Sequence, residues 1–131
     1  MFLDANVFIH AYDSTDGPGQ ACSKLLRQIS SQQQRATTNW LVLNEVVYYY
    51  VKAGRLAHAV QFWNTACRNI GLTILPIDSQ VARHVIHFIQ LGLAPTDAFH
   101  AATMKAHQIG VLCSYDKAFD KIEGIRRVEP Q

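Results

Sequence analysis

The sequence predicts an α/β fold: a three-layer α/β/α sandwich around a central, mostly parallel sheet. Short apolar runs that suit buried strands alternate with longer segments whose apolar residues recur at helical spacing. Parallel strands need such helical crossovers, and the helices then cover both faces of the sheet. With 131 residues, 49% of them hydrophobic, we expect a single domain over residues 1–131 with one sizeable core.

The first elements follow from a short apolar run at the start of the chain. Residues 1–4 predict a strand that stops at Asp4, followed by a short helix or turn that reaches Tyr12. A segment rich in Asp, Ser, Gly and Pro then predicts a loop over residues 13–19. Residues 19–33 have an apolar stripe at helical spacing and predict a helix.

The middle of the chain predicts two consecutive helices. Residues 35–38 suit a short strand or extended link, and Asn39 suits the N-cap of the helix that follows. Gly54 suits its end. This helix is apolar nearly all round, which predicts that it is buried or covered by another subunit. A further helix is expected over residues 56–69.

The second half of the chain predicts another strand and two more helices. A strand is expected at residues 73–76, and Asp78 suits the N-cap of a helix over 79–91. Pro95 lies in the first turn of a helix that ends near Gly110. The apolar side chains expected on the core face of the 79–91 helix are Val81, Ala82, Val85, Ile86 and Ile89.

Three short elements complete the predicted fold. A buried strand is expected at 111–113, a brief helix at 117–122 and an edge strand at 126–128. All of these strands are expected in the same sheet. The residues that directly follow each strand therefore decide which side chains meet at its carboxyl edge.

Composition excludes several classes of protein. The formal net charge of +2 is too mild to indicate nucleic-acid binding by itself. Three cysteines without a CxxC spacing argue against a disulfide framework or a zinc ribbon, so we expect a reducing, cytoplasmic location. No apolar run approaches the roughly 18 residues of a membrane span, and the N-terminus does not have the pattern of a signal peptide.

Four acidic residues are expected at one edge of the sheet. The carboxyl ends of parallel strands and the amino ends of their crossover helices share that edge. Asp4 ends the first strand and Asp116 follows the strand at 111–113. Asp97 and Glu45 lie in the first two turns of their helices.

Such a group of carboxylates needs a counter-charge. Two unit charges roughly 5 Å apart repel by about 3 kcal/mol at an effective dielectric constant of about 20. A hard divalent cation such as Mg²⁺ takes oxygen ligands and is the economical partner. A cation held in this way can activate a bound water and stabilise charge on a phosphoryl oxygen, which is the chemistry of phosphodiester hydrolysis.

The motifs resemble those of PIN-domain ribonucleases, and most of all the VapC-type toxins of toxin–antitoxin pairs. They are Asp4-Ala5-Asn6 at the start, Glu45 in an apolar helix, Pro95-Thr96-Asp97-Ala98 at the start of another helix, and the segment 114–120. In this order they cover essentially the whole chain. The resemblance implies that the family's acidic quartet falls on Asp4, Glu45, Asp97 and Asp116. It also implies supporting roles for Asn6 and Ser114, and for Asp120, which matches a further acid that some members carry.

The resemblance further implies a set of partners. These are an RNA substrate, Mg²⁺ or Mn²⁺ as cofactor, water as the nucleophile, a second copy of the chain in a homodimer, and a small antitoxin whose tail enters the acidic groove. No membrane partner is expected.

Two other functions compete with a nuclease. Haloacid-dehalogenase-like phosphatases also begin with a strand that ends in Asp, but their chemistry needs a second aspartate two residues later, where this chain has Asn6. A PIN-like fold that acts only as a binding module is the second alternative, and the complete acid quartet argues against it. A phosphate-loop protein is excluded, because the chain has no GxxxxGK[ST] motif.

Several other polar and aromatic residues favour structural interpretations. Asp13 and Asp16 suit a turn, and Tyr48–Tyr50 suit the core or a dimer interface better than the stacking of bases. His100 lies one helical turn after Asp97 and suits packing or solvent contact better than the groove. Lys52 is equally compatible with phosphate contact and with a plain surface position.

Overall fold

A computed structural model describes residues 1–131 and has one five-stranded sheet flanked by helices. All neighbouring strands are parallel. The strands are β1 (Phe2–Leu3), β2 (Ala36–Asn39), β3 (Leu72–Leu75), β4 (Val111–Cys113) and β5 (Arg126–Val128). The helices are α1 (Ala5–Asp13), α2 (Gly17–Ser30), α3 (Trp40–Lys52), α4 (Leu56–Arg68), α5 (Ser79–Gln90), α6 (Pro95–Ala106) and a 3₁₀ helix (Lys117–Lys121). The predicted fold class is confirmed.

Strand β1 lies at the centre of the sheet, whose order is β3-β2-β1-β4-β5. The chain moves outward from β1 to β3 on one side and then crosses to β4 and β5 on the other. The order therefore reverses between β1 and β4, and α/β proteins bind ligands at the carboxyl edge of such a reversal. Leu3 pairs with Cys113 in register, so Asp4 and Ser114 leave the sheet side by side.

The core surrounds this central strand. Phe2 and Leu3 are fully buried, and they belong to one cluster of 29 buried hydrophobic residues to which all six α-helices contribute. Burial of these side chains is the main force that stabilises the packing of the helices against the sheet. None of the helices combines the length and the apolar character needed to cross a lipid bilayer.

Polar caps set the starts of four helices. Asp4, Asp16, Asn39 and Asp78 each accept a hydrogen bond from a backbone N–H in the first turn of α1, α2, α3 and α5 respectively. The predicted caps at Asn39 and Asp78 are thus confirmed. The predicted start of α2 at residue 19 was two residues late, because Asp16 caps the helix at Gly17. Gly54 follows α3 with φ of 72°, as its expected role as a helix stop requires.

The predicted core face of α5 was wrong in part. Val81 and Val85 are buried as expected, but Phe88 is the third buried side chain of this helix. Ile86 and Ile89 are 63% and 37% exposed, and Ala82, also expected on the core face, is exposed as well. The apolar residues of α5 cover too wide an arc for sequence alone to fix the rotation of the helix, and packing selects positions i, i+4 and i+7.

Two further predictions about helices need correction. Helix α6 ends at Ala106 and not near Gly110, because Gln108 adopts φ of 55° and the chain turns into β4. Helix α3 is not buried all round, since Tyr48 is 62% and Val51 48% exposed. Its expected cover by a second subunit stays a prediction.

Gly19 offers a test of the packing at the start of α2. A β-carbon at this position would collide with the backbone carbonyl of Ser14, whereas one at Gly17 would meet nothing within 4 Å. We expect Gly19→Ala to lower the free energy of unfolding by about 1–3 kcal/mol, as overpacking does. Gly17→Ala is the matched control and should change it by less than about 1 kcal/mol. Urea denaturation of both variants measures the difference, and equal stabilities would contradict the packing described here.

Candidate active site

A cleft of about 350 Å³ lies at the carboxyl edge of the sheet. The four acids predicted from the sequence all line it, although they come from separate parts of the chain. Asp4 follows β1, Glu45 lies in α3, Asp97 lies in the first turn of α6, and Asp116 precedes the 3₁₀ helix. The other lining residues are Ala5, Asn6, Ile9 and Tyr48.

The carboxylate of Asp4 is held by three donors and is only 6% exposed. The backbone N–H of Ala5 donates to Oδ1 at 2.7 Å. The hydroxyl of Ser114 and the side-chain amide of Asn6 donate to Oδ2, at 2.6 Å and 2.7 Å. Three donors fix the orientation of this side chain and favour its ionised form.

Asn6 and Ser114 connect the ends of β1 and β4. Asn6 accepts from the backbone N–H of Tyr115 through Oδ1 at 3.2 Å, which fixes its amide orientation. Its Nδ2 donates to Ser114 Oγ at 2.9 Å as well as to Asp4. Ser114 Oγ also accepts from the backbone N–H of Asp116 at 2.9 Å. A side-chain amide cannot serve as the general acid or base that the phosphatase chemistry needs at this position, which disfavours the phosphatase alternative.

Of the other three acids, Glu45 and Asp116 each have a hydrogen-bond partner, and Asp97 lies at a helix N-terminus. Glu45 Oε2 lies 2.7 Å from His100 Nε2. Asp116 Oδ1 accepts from the backbone N–H of Ala118 at 2.8 Å and so caps the 3₁₀ helix. Asp97 is half-buried in the first turn of α6, where the positive end of the helix dipole favours a negative charge.

The four acids have no lysine or arginine as a salt-bridge partner. The arginine salt bridges of the protein involve other acids, namely Asp13, Asp120 and Glu129. Burial, and then the charge of Asp4, raise the pKa of Asp97 to about 6. Burial also raises the pKa of Asp4, and the hydrogen bond from Ser114 opposes this shift. Carboxylate oxygens without a lysine or arginine partner are suitable ligands for a hard divalent cation.

Asp120 is the one predicted site residue that does not line the cleft or contact its acids. Its carboxylate is exposed and accepts from Arg127 Nε at 2.7 Å, and this hydrogen bond lowers its pKa. Arg127 also donates to the backbone carbonyl of Ser114 at 2.8 Å. Asp120 is therefore connected to the site only through Arg127, whose hydrogen bond to the carbonyl of Ser114 stabilises the end of β4.

Tyr48 and His100 are the aromatic residues in contact with the site: Tyr48 lines the cleft, and His100, packed in the interior as one of its two expected positions, contacts Glu45. Tyr48 lines the cleft and does not lie in the core, whereas Tyr50 is buried as expected. His100 is fully buried and contacts Glu45, so it does not face solvent. The only feature of the sequence that could have placed His100 near the acids was its spacing of three residues from Asp97. Lys52 lies with Nζ 5.7 Å from the centre of the Tyr48 ring.

Asp13 also departs from the expectation of a loop residue. It is the last residue of α1 and accepts two hydrogen bonds from the guanidinium of Arg55, at 2.7 Å and 3.0 Å. The hydroxyls of Tyr49 and Tyr50 donate to the same carboxylate. This cluster ties the end of α1 to the end of α3, and other residues of both helices line the cleft. Asp16 is the N-cap of α2, as its expected structural role requires.

Comparison with known proteins identifies relatives along nearly the whole chain. Residues 1–125 match the family model described as PIN domain. Ribonuclease VapC13 of Mycobacterium tuberculosis is 30% identical over 131 residues, with 98% of each chain covered. Ribonuclease VapC2 of Methanocaldococcus jannaschii is 22% identical, and the match covers 98% of this chain and 93% of that protein.

Solved structures share the fold. VapBC2 from Rickettsia felis, bound to a DNA fragment from its promoter, has a TM-score of 0.76 at 15% identity, with 99% of this chain and 98% of that chain covered. VapC20 from Mycobacterium tuberculosis, described as a sarcin-ricin loop cleaving toxin, has a TM-score of 0.72 at 16% identity, with 91% and 92% covered. At these identities the likeness establishes the fold alone.

The raised pKa of Asp97 predicts an unusual effect on stability. Because its pKa is about 6 in the folded protein and 3.8 in a free side chain, the ionised carboxylate destabilises the fold. This cost is absent below about pH 4 and complete above about pH 6. We expect Asp97→Asn to raise the free energy of unfolding of the metal-free protein at pH 7.5 by about 1 kcal/mol, after allowing for solvent screening.

Denaturant titrations at pH 7.5 and pH 4 measure this effect. The gain should disappear at pH 4, and saturating Mg²⁺ should stabilise the original protein more than the variant. A variant that is less stable than the original protein at pH 7.5 would contradict the electrostatic strain at this edge.

Proposed function

We propose that this chain, which belongs to the PIN-domain family, is a metal-dependent endoribonuclease and the toxin of a toxin–antitoxin pair. A relative that is 30% identical over 98% of the chain is named a ribonuclease, VapC13. The observation that carries the proposal is the meeting of four carboxylates in one cleft, without a lysine or arginine salt bridge, on the PIN fold. RNA phosphodiester bonds are the proposed substrate.

The proposed ligands of the metal are Asp4, Glu45, Asp97 and Asp116, and the proposed ion is Mg²⁺ or Mn²⁺. PIN-domain nucleases in general use divalent metals, and an all-oxygen set of carboxylates is what these ions prefer. When bound, such an ion supplies a more acidic water and neutralises charge on the phosphoryl oxygens.

The chain's own residues provide orientation. Ser114 and Asn6 hold Asp4 in one position through hydrogen bonds of 2.6 Å and 2.7 Å, so the acceptor does not have to reorganise during the reaction. Hydrolysis adds the oxygen of water to phosphorus and breaks the bond to a ribose oxygen, which takes up a proton as it leaves. The cleft is not lined by serine, cysteine or lysine, so a water nucleophile fits it best.

Protein partners are the other part of the proposal. An apolar surface on α3 and α4 includes Trp40, Leu56, Val60 and Trp63, which are 42%, 65%, 53% and 40% exposed. Adjacent exposed apolar side chains of this kind are typical of protein contacts. We propose that the chain forms a homodimer, that it binds a small antitoxin, and that it acts in the cytoplasm. A structural neighbour from Klebsiella pneumoniae is described as a toxin-antitoxin complex, which supports the antitoxin partner.

Removal of one carboxylate should abolish cleavage. We expect Asp4→Asn and Asp97→Asn each to lower the rate of RNA cleavage in Mg²⁺ by about 100-fold or more, because metal ligation contributes several kcal/mol to such reactions. Excess EDTA should have the same effect on the original protein. The measurement is the single-turnover rate on a panel of labelled RNAs.

Asp78→Asn is the matched control, since Asp78 caps α5 outside the cleft and asparagine is an equally good cap. It should retain the full rate. Cleavage that survives both EDTA and the two cleft substitutions would contradict the mechanism. If no RNA is cleaved and no Mg²⁺ binds, a binding module is the better interpretation.

Tyr48 is expected to contact an RNA base. Its ring lines the cleft and is 62% exposed, and base stacking on an aromatic side chain contributes about 1–3 kcal/mol. We expect Tyr48→Ala to raise KM for single-stranded RNA by about tenfold with little change in kcat, while Tyr48→Phe retains the KM. An unchanged KM in the alanine variant would show that Tyr48 does not contact the substrate.

A further inference from the structure

Three polar side chains form a line that ends at the cleft. Asn39 caps α3 and is fully buried, as is His100 on α6. Asn39 Nδ2 lies 3.2 Å from His100 Nδ1, and His100 Nε2 lies 2.7 Å from Glu45 Oε2. The line therefore runs from the start of α3, through the imidazole ring, back to α3 one turn and a half later.

The amide of Asn39 has only one possible orientation. Its Oδ1 accepts the backbone N–H of Val42 at 2.9 Å, so this atom must be the oxygen. Its Nδ2 lies 2.9 Å from Thr103 Oγ1, and the hydroxyl hydrogen of Thr103 is donated to the carbonyl of Phe99 at 2.7 Å. A flipped amide would place donor against donor at Val42 and two acceptors together at Thr103.

The orientation of Asn39 fixes the tautomer of His100. Because Asn39 presents an N–H to Nδ1, that ring nitrogen must offer its lone pair. The ring hydrogen then lies on Nε2, which donates it to Glu45 Oε2. Phe2 packs against the imidazole with ring centroids 5.9 Å apart, so the ring has little freedom to turn over.

We infer that His100 is a positioning residue for Glu45 and not a metal ligand. Ligand atoms of Asp4, Glu45 and His100 lie within 4.8 Å of one another, which by distance alone would suit a mixed His/carboxylate site. In the tautomer that Asn39 imposes, however, Nε2 has no lone pair to give to a metal. His100 instead occupies Oε2 of Glu45 and leaves Oε1 without a protein partner. The inference rests on the proposed function, because Glu45 is a proposed ligand.

The tautomer can be measured without metal or substrate. Two-bond ¹H–¹⁵N correlation spectra of histidine-labelled protein distinguish a protonated ring nitrogen from an unprotonated one, and a His100→Gln sample assigns the signals. We expect an unprotonated Nδ1 and a protonated Nε2, both with and without saturating Mg²⁺. A hydrogen on Nδ1, or loss of the Nε2 hydrogen when Mg²⁺ is added, would overturn the inference.

Asn39→Asp tests the origin of the tautomer. Aspartate retains the helix cap and nearly the same shape, but it presents an acceptor to Nδ1 in place of a donor. We expect Nδ1 to become protonated in this variant, while the far-ultraviolet circular dichroism is unchanged. A His100 signal identical to that of the original protein would show that Asn39 does not set the tautomer.

A double-mutant cycle tests whether His100 acts through Glu45. We expect His100→Gln to weaken the binding of Mn²⁺ alone by about tenfold, as loss of a partner behind a metal ligand typically does. In a Glu45→Gln background the same change should have almost no further effect. Equal losses in both backgrounds would overturn the positioning role, and the unfolding free energies of all four proteins separate it from general destabilisation. A failure of the original protein to bind Mn²⁺ would instead contradict the proposed function, whatever tautomer is found.

Discussion

Repulsion among carboxylates at the carboxyl end of β1 is the constraint on which the rest of the site depends. Asp4 is nearly buried on the central strand, and its charge contributes to raising the pKa of Asp97 to about 6. The protein tolerates this crowding because Ser114, Asn6 and the backbone of Ala5 all donate to Asp4. Stability is thus reduced at the place where we propose that a cation binds, as is common where function needs a destabilised site.

The topology explains why these residues meet. A parallel sheet with reversed strand order at its centre brings the end of β1 beside the end of β4, and the pairing of Leu3 with Cys113 sets Asp4 against Ser114. The first turns of α3 and α6 lie at the same edge. Helix α3 follows the carboxyl end of β2 directly, and α6 places Asp97 of its first turn in the cleft. The N-cap of α3, Asn39, therefore serves both the helix and the histidine behind Glu45.

The sequence was sufficient for the strand–helix order and for the four acids, because both follow from local patterns and from the direction of parallel strands. It could not indicate that Asn39 contacts His100, since 61 residues separate them and only packing joins them. A core position for Tyr48 was wrong for a similar reason: α3 is apolar on several faces, so its rotation depends on the neighbouring helices. The alternative, a position in a dimer interface, stays a prediction. The pairing of Asp13 with Arg55 is also a tertiary contact between residues that individually look like surface charges.

Anomalous diffraction from crystals soaked in Mn²⁺ tests the central claim most directly. Carboxylates without a basic partner should hold the ion, so we predict a peak within coordination distance of oxygens from Asp4, Asp97 and Asp116, with Glu45 as a further ligand directly or through water. His100 Nε2 should remain hydrogen-bonded to Glu45. A cleft without a peak at millimolar Mn²⁺, or a peak held elsewhere on the protein, would contradict a metal-dependent nuclease at this edge.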